Sequence, residues 1–142
     1  MVKNKERCII SEYHIIDTEF KDQECLIEAL EEMGYKPTIH ATPKQLEGYQ
    51  GDSRTQKAHI IIPRKQVGSA SNDVGFEKVG DSYITHASAY DRAWRTGHKL
   101  NELKQLYGEK VIMKTVSKHA KYSFRSRKVD EEGNIKIKVR RL

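Results

Sequence analysis

Apolar residues recur at spacings of three and four from Cys25 through Leu26, Ala29 and Leu30 to Met33. That spacing lays them along one face of a helix. Asp22 stands before the run as an N-cap, and Glu24 puts a carboxylate in the first turn, where it suits the helix dipole. Gly34 supplies the C-terminal stop. Ahead of this helix, Cys8–Ile16 is rich in isoleucine and predicts a strand, and Tyr35–Ala41 predicts a strand returning from it. Thr42–Arg54 holds Pro43, Gly48 and Gly51 with few apolar residues and predicts a loop. Lys57–Pro63 centres on Ile60, Ile61 and Ile62 and predicts a buried strand that Pro63 ends or places at an edge. A second loop follows over Arg64–Ser71, and then Val74–Val79 and Ser82–Ala87 flank Gly80 and Asp81 as a hairpin.

The second half is less regular. Ser88–Gly97 carries no clear period. Leu100, Leu103 and Tyr107 make one helical stripe and Ile112, Val116 and Ala120 another, with Gly108 between them, so a break or kink is expected there. The chain closes as a hairpin of Tyr122–Val129 and Asn134–Arg140 around Asp130, Glu131, Glu132 and Gly133. Its last strand alternates Ile135, Ile137 and Val139 with Lys136, Lys138 and Arg140, giving one apolar and one basic face. The fold class is therefore α+β: a mostly antiparallel sheet with two or three helices packed on one face. The β-α-β rhythm leaves a ferredoxin-like arrangement open.

Length and composition narrow this picture. A chain of 142 residues suits one domain, with residues 1–7 flexible and residues 118–142 forming the basic C-terminal hairpin. No run of eighteen apolar residues exists, so no membrane span is expected. Glu12, His14 and Asp17 interrupt any secretory apolar segment, and Cys8 and Cys25 make no disulfide framework. A reduced intracellular setting follows, the cytoplasm in the simplest case. The net charge is +6, and all of that excess lies in residues 118–142, where nine lysines and arginines face Asp130, Glu131 and Glu132. Such a concentration calls for an acidic partner or, more simply, keeps the protein soluble.

Candidate chemistry is sparse. His14, His40, His59, His86, His98 and His119 lack metal-ligand spacing, so no metal is assigned. Gly68–Gly75 is glycine-bounded but lacks the Gly-Lys-Ser/Thr ending of a phosphate loop. Its side chains either bond their own backbone or, as Ser69, Ser71 and Asn72 with Arg64 and Lys65, bind a phosphate or polyanion. No nucleophile elbow or cysteine signature appears, so no catalytic residue and no cofactor is assigned. In a regular hairpin Arg125 and Arg127 would share a face with Lys136, Lys138 and Arg140. Five like charges on one face repel unless a polyanion offsets them. Nucleic acid is the natural offset, RNA or a single strand rather than duplex DNA, with Arg54, Lys57, Arg64 and Lys65 extending the surface. The alternative is a solvated hairpin whose lysines deter edge pairing. Trp94 is either an interaction anchor flanked by Arg92 and Arg95 or a core residue.

Several of these segments carry a family resemblance: Leu26–Tyr35, Gly48–Asp52, Lys57–Ile62, Ser71–Phe76, Tyr90–Arg92 and Gly133–Arg141. In this order and spacing the chain resembles the hypothetical chloroplast open reading frame 35 proteins, a family of unknown function in plastids, cyanobacteria, other bacteria and phages. The resemblance covers most of the chain. It departs where a basic stretch precedes Cys8, and where His59 stands in place of an expected acidic residue. The resemblance implies no catalytic residues. It implies an accessory role beside an AAA+ ATPase, and hence a protein partner as the alternative to nucleic acid.

Overall fold

The computed structural model describes residues 13–68, 70–118, 122–131 and 134–141. Eleven elements follow one another: β1 (Tyr13–Phe20), α1 (Gln23–Glu32), β2 (Thr38–Glu47), β3 (Ser53–Ile62), α2 (Arg64–Val67), β4 (Val74–Val79), β5 (Ser82–Ser88), α3 (Arg92–Arg95), α4 (His98–Lys118), β6 (Tyr122–Val129) and β7 (Ile135–Arg141). Five strands form one antiparallel sheet in the order β1-β5-β4-β3-β2, and β6 pairs with β7 in a second sheet. The fold is α+β, as the pattern predicts. One β-α-β unit is present, β1-α1-β2, but its two strands take opposite edges of the sheet, and β2 to β5 continue as a meander. Residues 8–12 of the expected first strand, together with residues 1–7, Ser69, His119, Ala120, Glu132 and Gly133, lie outside the described residues.

Helix α1 forms where its spacing places it. The Asp22 carboxylate accepts the Cys25 N–H at 2.9 Å, and Cys25, Leu26, Ala29 and Leu30 are all buried. Each such leucine contributes roughly 1.5–3 kcal/mol by leaving water. The chain leaves the helix through Gly34, whose φ of 97° is open to glycine at no steric cost. Helices α1 and α4 pack on each other over the sheet face that carries Ile60, Ile62, Val74, Phe76 and Tyr83. Phe20 extends β1 four residues past its expected end, because its ring belongs to this core, 4.9 Å from Tyr107 and 6.1 Å from Phe76.

The opposite face has its own small cluster of Leu46, Ala58 and Ile61. Gly75 lies beneath it. A Cβ there would come within 2.6 Å of the Ala58 Cβ and 2.7 Å of Leu46 Cδ2, so the backbone approach needs glycine. This cluster explains the unbroken Ile60-Ile61-Ile62 run: a strand covered on both faces needs no alternation.

Two expectations are corrected, and one stretch without an assignment takes shape. The loop over Thr42–Arg54 is largely strand: β2 runs to Glu47 and β3 begins at Ser53. Its Pro43 is tolerated because β2 is an edge strand, whose pairing shifts register between Ile39 and Lys44. Gly108 does not break the helix, since α4 is continuous from His98 to Lys118 and is anchored by Leu100, Leu103 and Leu106. The unpatterned Ser88–Gly97 contains α3, whose first turn is capped by Asp91 Oδ1 accepting the Trp94 N–H at 3.2 Å.

Candidate nucleic-acid interface

The C-terminal hairpin lies against α4. Gln105 and Glu109 of α4 hold it there, and Gln105 Nε2 donates to Asn134 Oδ1 at 3.3 Å. Gln105 Oε1 accepts the Ile135 N–H at 2.9 Å, and Arg127 grips the Glu109 carboxylate with both Nε and a second nitrogen, the latter at 3.1 Å. Glu109 holds the Arg127 guanidinium further above its usual range. The strand pairing places Lys128 opposite Lys136, Ser126 opposite Lys138, and Arg127 opposite Ile137. Side chains of paired residues share a face, so Lys128, Lys136 and Lys138 stand together and Arg127 stands with the apolar residues toward α4. Arg140 follows Lys138 on the same face of β7.

The expected grouping of Arg125 and Arg127 with the β7 cations is therefore corrected. The register shifts between Phe124 and Ser126, which leaves Arg125 as the extra residue of a bulge. Beyond that bulge the parity of β6 reverses, and Lys128 replaces Arg127 on the outer face. Lys128, Lys136, Lys138 and Arg140 are all exposed. Lys136 has Asp130 at 3.9 Å, and the other three make no ion pair among the described residues. Sequence reasoning missed Lys128; the signal was the turn length, which sets the register on which facing depends.

Between the hairpin and α4 runs a cleft of about 670 Å³ lined by Glu32, Glu102, Gln105 and Arg127. Its carboxylates make it a poor seat for a polyanion, so the anion-attracting surface is the outer face of the hairpin.

The central loops are clamped by their own side chains. Asp73 accepts the Arg64 N–H at 2.7 Å and the Glu47 N–H at 2.8 Å, while its N–H donates to the Glu47 carbonyl at 2.9 Å. Burial pushes the Asp73 carboxyl up, against the pull of its two backbone N–H donors. Asn72 is buried too, and its Oδ1 accepts the Tyr49 N–H at 2.8 Å. Asn72 and Asp73 thus bond the backbone of neighbouring segments rather than that of their own loop, and the buried Asn72 has no surface to offer a polyanion. Ser71 is half-buried beside Gly68.

The central cations divide in the same way. Arg64 Nε donates to Glu47 Oε1 at 2.9 Å and its Nη1 to the Tyr49 carbonyl at 3.3 Å. Arg54 lies 2.9 Å from the Asp52 carboxylate, folded over Gly48. Lys57 and Lys65 are exposed. All four belong to the β2-β3-α2 end of the sheet, whereas the hairpin packs on α4. Trp94 is 1% exposed, with its ring 5.7 Å from Tyr35 and 6.4 Å from Phe76. It is a core residue, which corrects its reading as an interaction anchor. Cys25 is buried, and burial, with Asp22 beside it, pushes its thiol up to about 11, so it stays protonated and unreactive. Among the described residues, no group of three or more His, Cys, Asp or Glu could hold a metal ion, and no helix is long and apolar enough to cross a membrane.

A family model described as protein of unknown function (DUF1257) matches residues 29–138, and the chain belongs to that family. No curated protein and no solved structure matches the chain.

Proposed function

We propose that this DUF1257 protein is a non-enzymatic accessory protein that binds single-stranded nucleic acid, RNA in particular, through the outer face of its C-terminal hairpin. One observation carries this reading: strand register gathers Lys128, Lys136, Lys138 and Arg140 on one exposed face, while Glu109 neutralises the cation on the other. A face of four cations attracts phosphate and carries no sequence code, which suits binding to a backbone rather than to base edges. A cationic track that follows phosphates without reading bases suits a flexible single strand. Charge reversal at Lys136 and Lys138 tests it: the variant should lose RNA binding while keeping its fold. Undiminished binding would remove the hairpin from the reading.

A protein partner is the second reading, favoured by exposed Ile112, Met113 and Phe124. Within DUF1257 we place the chain with the chloroplast open reading frame 35 proteins, for which that resemblance implies an AAA+ ATPase as partner. With two cysteines and no disulfide framework in its sequence, the protein suits a reducing compartment.

A further inference from the structure

At the start of α4, away from the hairpin, the corner between β5 and α3 closes over a second pocket of about 260 Å³. Its floor is the buried ring of Trp94 beside Tyr35, and its walls include Ser71, Arg92 and Lys99. Tyr90 stands at the rim, 88% exposed. The Lys99 ammonium is 5.7 Å from the centre of the Tyr35 ring, and Lys99 is half-buried with no carboxylate partner among the described residues. Arg92 likewise makes no ion pair among them. The pocket's carboxylate, Asp91, already accepts the Trp94 N–H as the cap of α3.

Lys99 and the exposed Arg92 outnumber the Asp91 carboxylate, so the pocket carries a net positive charge beside its aromatic residues. The Lys99 stem is half-buried with its ammonium held over the Tyr35 ring, which gives that charge a fixed place from which to meet an anion. The exposed ring at the rim adds a flat surface on which a planar group can stack. We propose that this pocket binds a nucleoside monophosphate, its phosphate held by Lys99 and Arg92 with the Ser71 hydroxyl and its base laid on Tyr90. The volume of about 260 Å³ suits one nucleotide. The ligand is either a free nucleotide or the phosphorylated end of a strand. The site is independent of the hairpin and stands or falls without it.

Trp94 is the chain's one tryptophan and forms the floor, so its fluorescence reports occupancy. The full-length protein is titrated with AMP, adenosine and inorganic phosphate, each followed by Trp94 emission and by calorimetry. AMP should bind and shift the emission, adenosine should bind at least about tenfold more weakly, and Lys99→Gln or Arg92→Gln should each weaken AMP by about tenfold, the worth of one charge-assisted hydrogen bond. Tyr90→Ala should weaken AMP while leaving phosphate binding unchanged. A 5′-phosphorylated oligonucleotide that competes with AMP, where its 5′-hydroxyl twin does not, assigns the site to strand ends; failure of both to compete assigns it to the free nucleotide. Reversing Lys136 and Lys138 should leave every one of these titrations unaltered, which separates this site from the hairpin. No AMP binding at millimolar concentration, AMP bound no better than phosphate, or unaltered AMP affinity in both cation variants overturns the proposal.

Discussion

Replacing Asp73 with alanine removes the clamp that ties β2, α2 and β4 together. Two backbone donors, the N–H groups of Glu47 and Arg64, would lose a carboxylate acceptor at 2.8 and 2.7 Å. Hydrogen bonds to a charged group are worth about 1.5–3 kcal/mol each, so the pair sets an upper range of roughly 3–6 kcal/mol. Two effects reduce it. Both bonds are only part-buried, so water can take up some of the loss, and removing a desolvated carboxylate returns the cost that pushes its pKa up. The expected destabilisation is therefore about 2–3 kcal/mol, a fall in Tm of roughly 6–10 °C for a chain of this length. Asp73→Asn keeps one acceptor and turns a donor toward the other N–H, so it should cost roughly half as much. Urea unfolding followed by Trp94 fluorescence measures both, and amide exchange at Glu47 and Arg64 should accelerate before that of the β3 core. A loss below about 0.5 kcal/mol for Asp73→Ala, or exchange at those two amides no faster than in the parent, would refute the clamp.

Two further outcomes follow from the helices. Lys114 donates to Asp22 at 2.7 Å and, with the Cys25 N–H, holds the Asp22 carboxyl below its ordinary value. A carboxyl lowered by folding binds fewer protons folded than unfolded, so its contribution is present above about pH 4 and lost as pH falls through the folded value. Asp22→Asn keeps the cap but loses the charge, so it should be less stable than the parent at pH 7, with the gap closing toward pH 2; a gap independent of pH contradicts the pairing. Gly108→Ala should stabilise the protein by about 0.5–1 kcal/mol in thermal unfolding, because α4 is continuous there and a Cβ meets nothing within 4 Å. Destabilisation would mean that the helix bends at Gly108.

What could be read from the chain, and what could not, has a physical pattern. Helix α1 was legible because cap, dipole, stripe and stop all agree within a dozen residues. The β4-β5 hairpin was legible because Gly80 and Asp81 sit between two apolar runs. The first residues of β2 fall within the predicted strand Tyr35–Ala41, but its continuation to Glu47 was not legible, because an edge strand with one buried side chain, Leu46, needs no hydrophobic pattern and can carry a proline. The basic face was half legible. Alternation on β7 selects Lys136, Lys138 and Arg140, but which β6 residue faces them is set by the turn length, and the bulge at Arg125 further changes the parity beyond it. Trp94 between two arginines resembles an exposed anchor, yet the capped turn of α3 aims it inward. The Lys99 and Arg92 pocket joins residues from three separated segments, which no spacing rule connects.

The most direct measurement is the affinity of the full-length protein for a mixed-sequence single-stranded RNA, titrated across salt. Four outer-face cations on single-strand phosphates predict a log–log slope of about −2.8, falling toward half that when Lys136 and Lys138 are both replaced by glutamine. Absence of salt-sensitive binding at low ionic strength, or a slope that both substitutions leave intact, would contradict nucleic-acid binding by the hairpin.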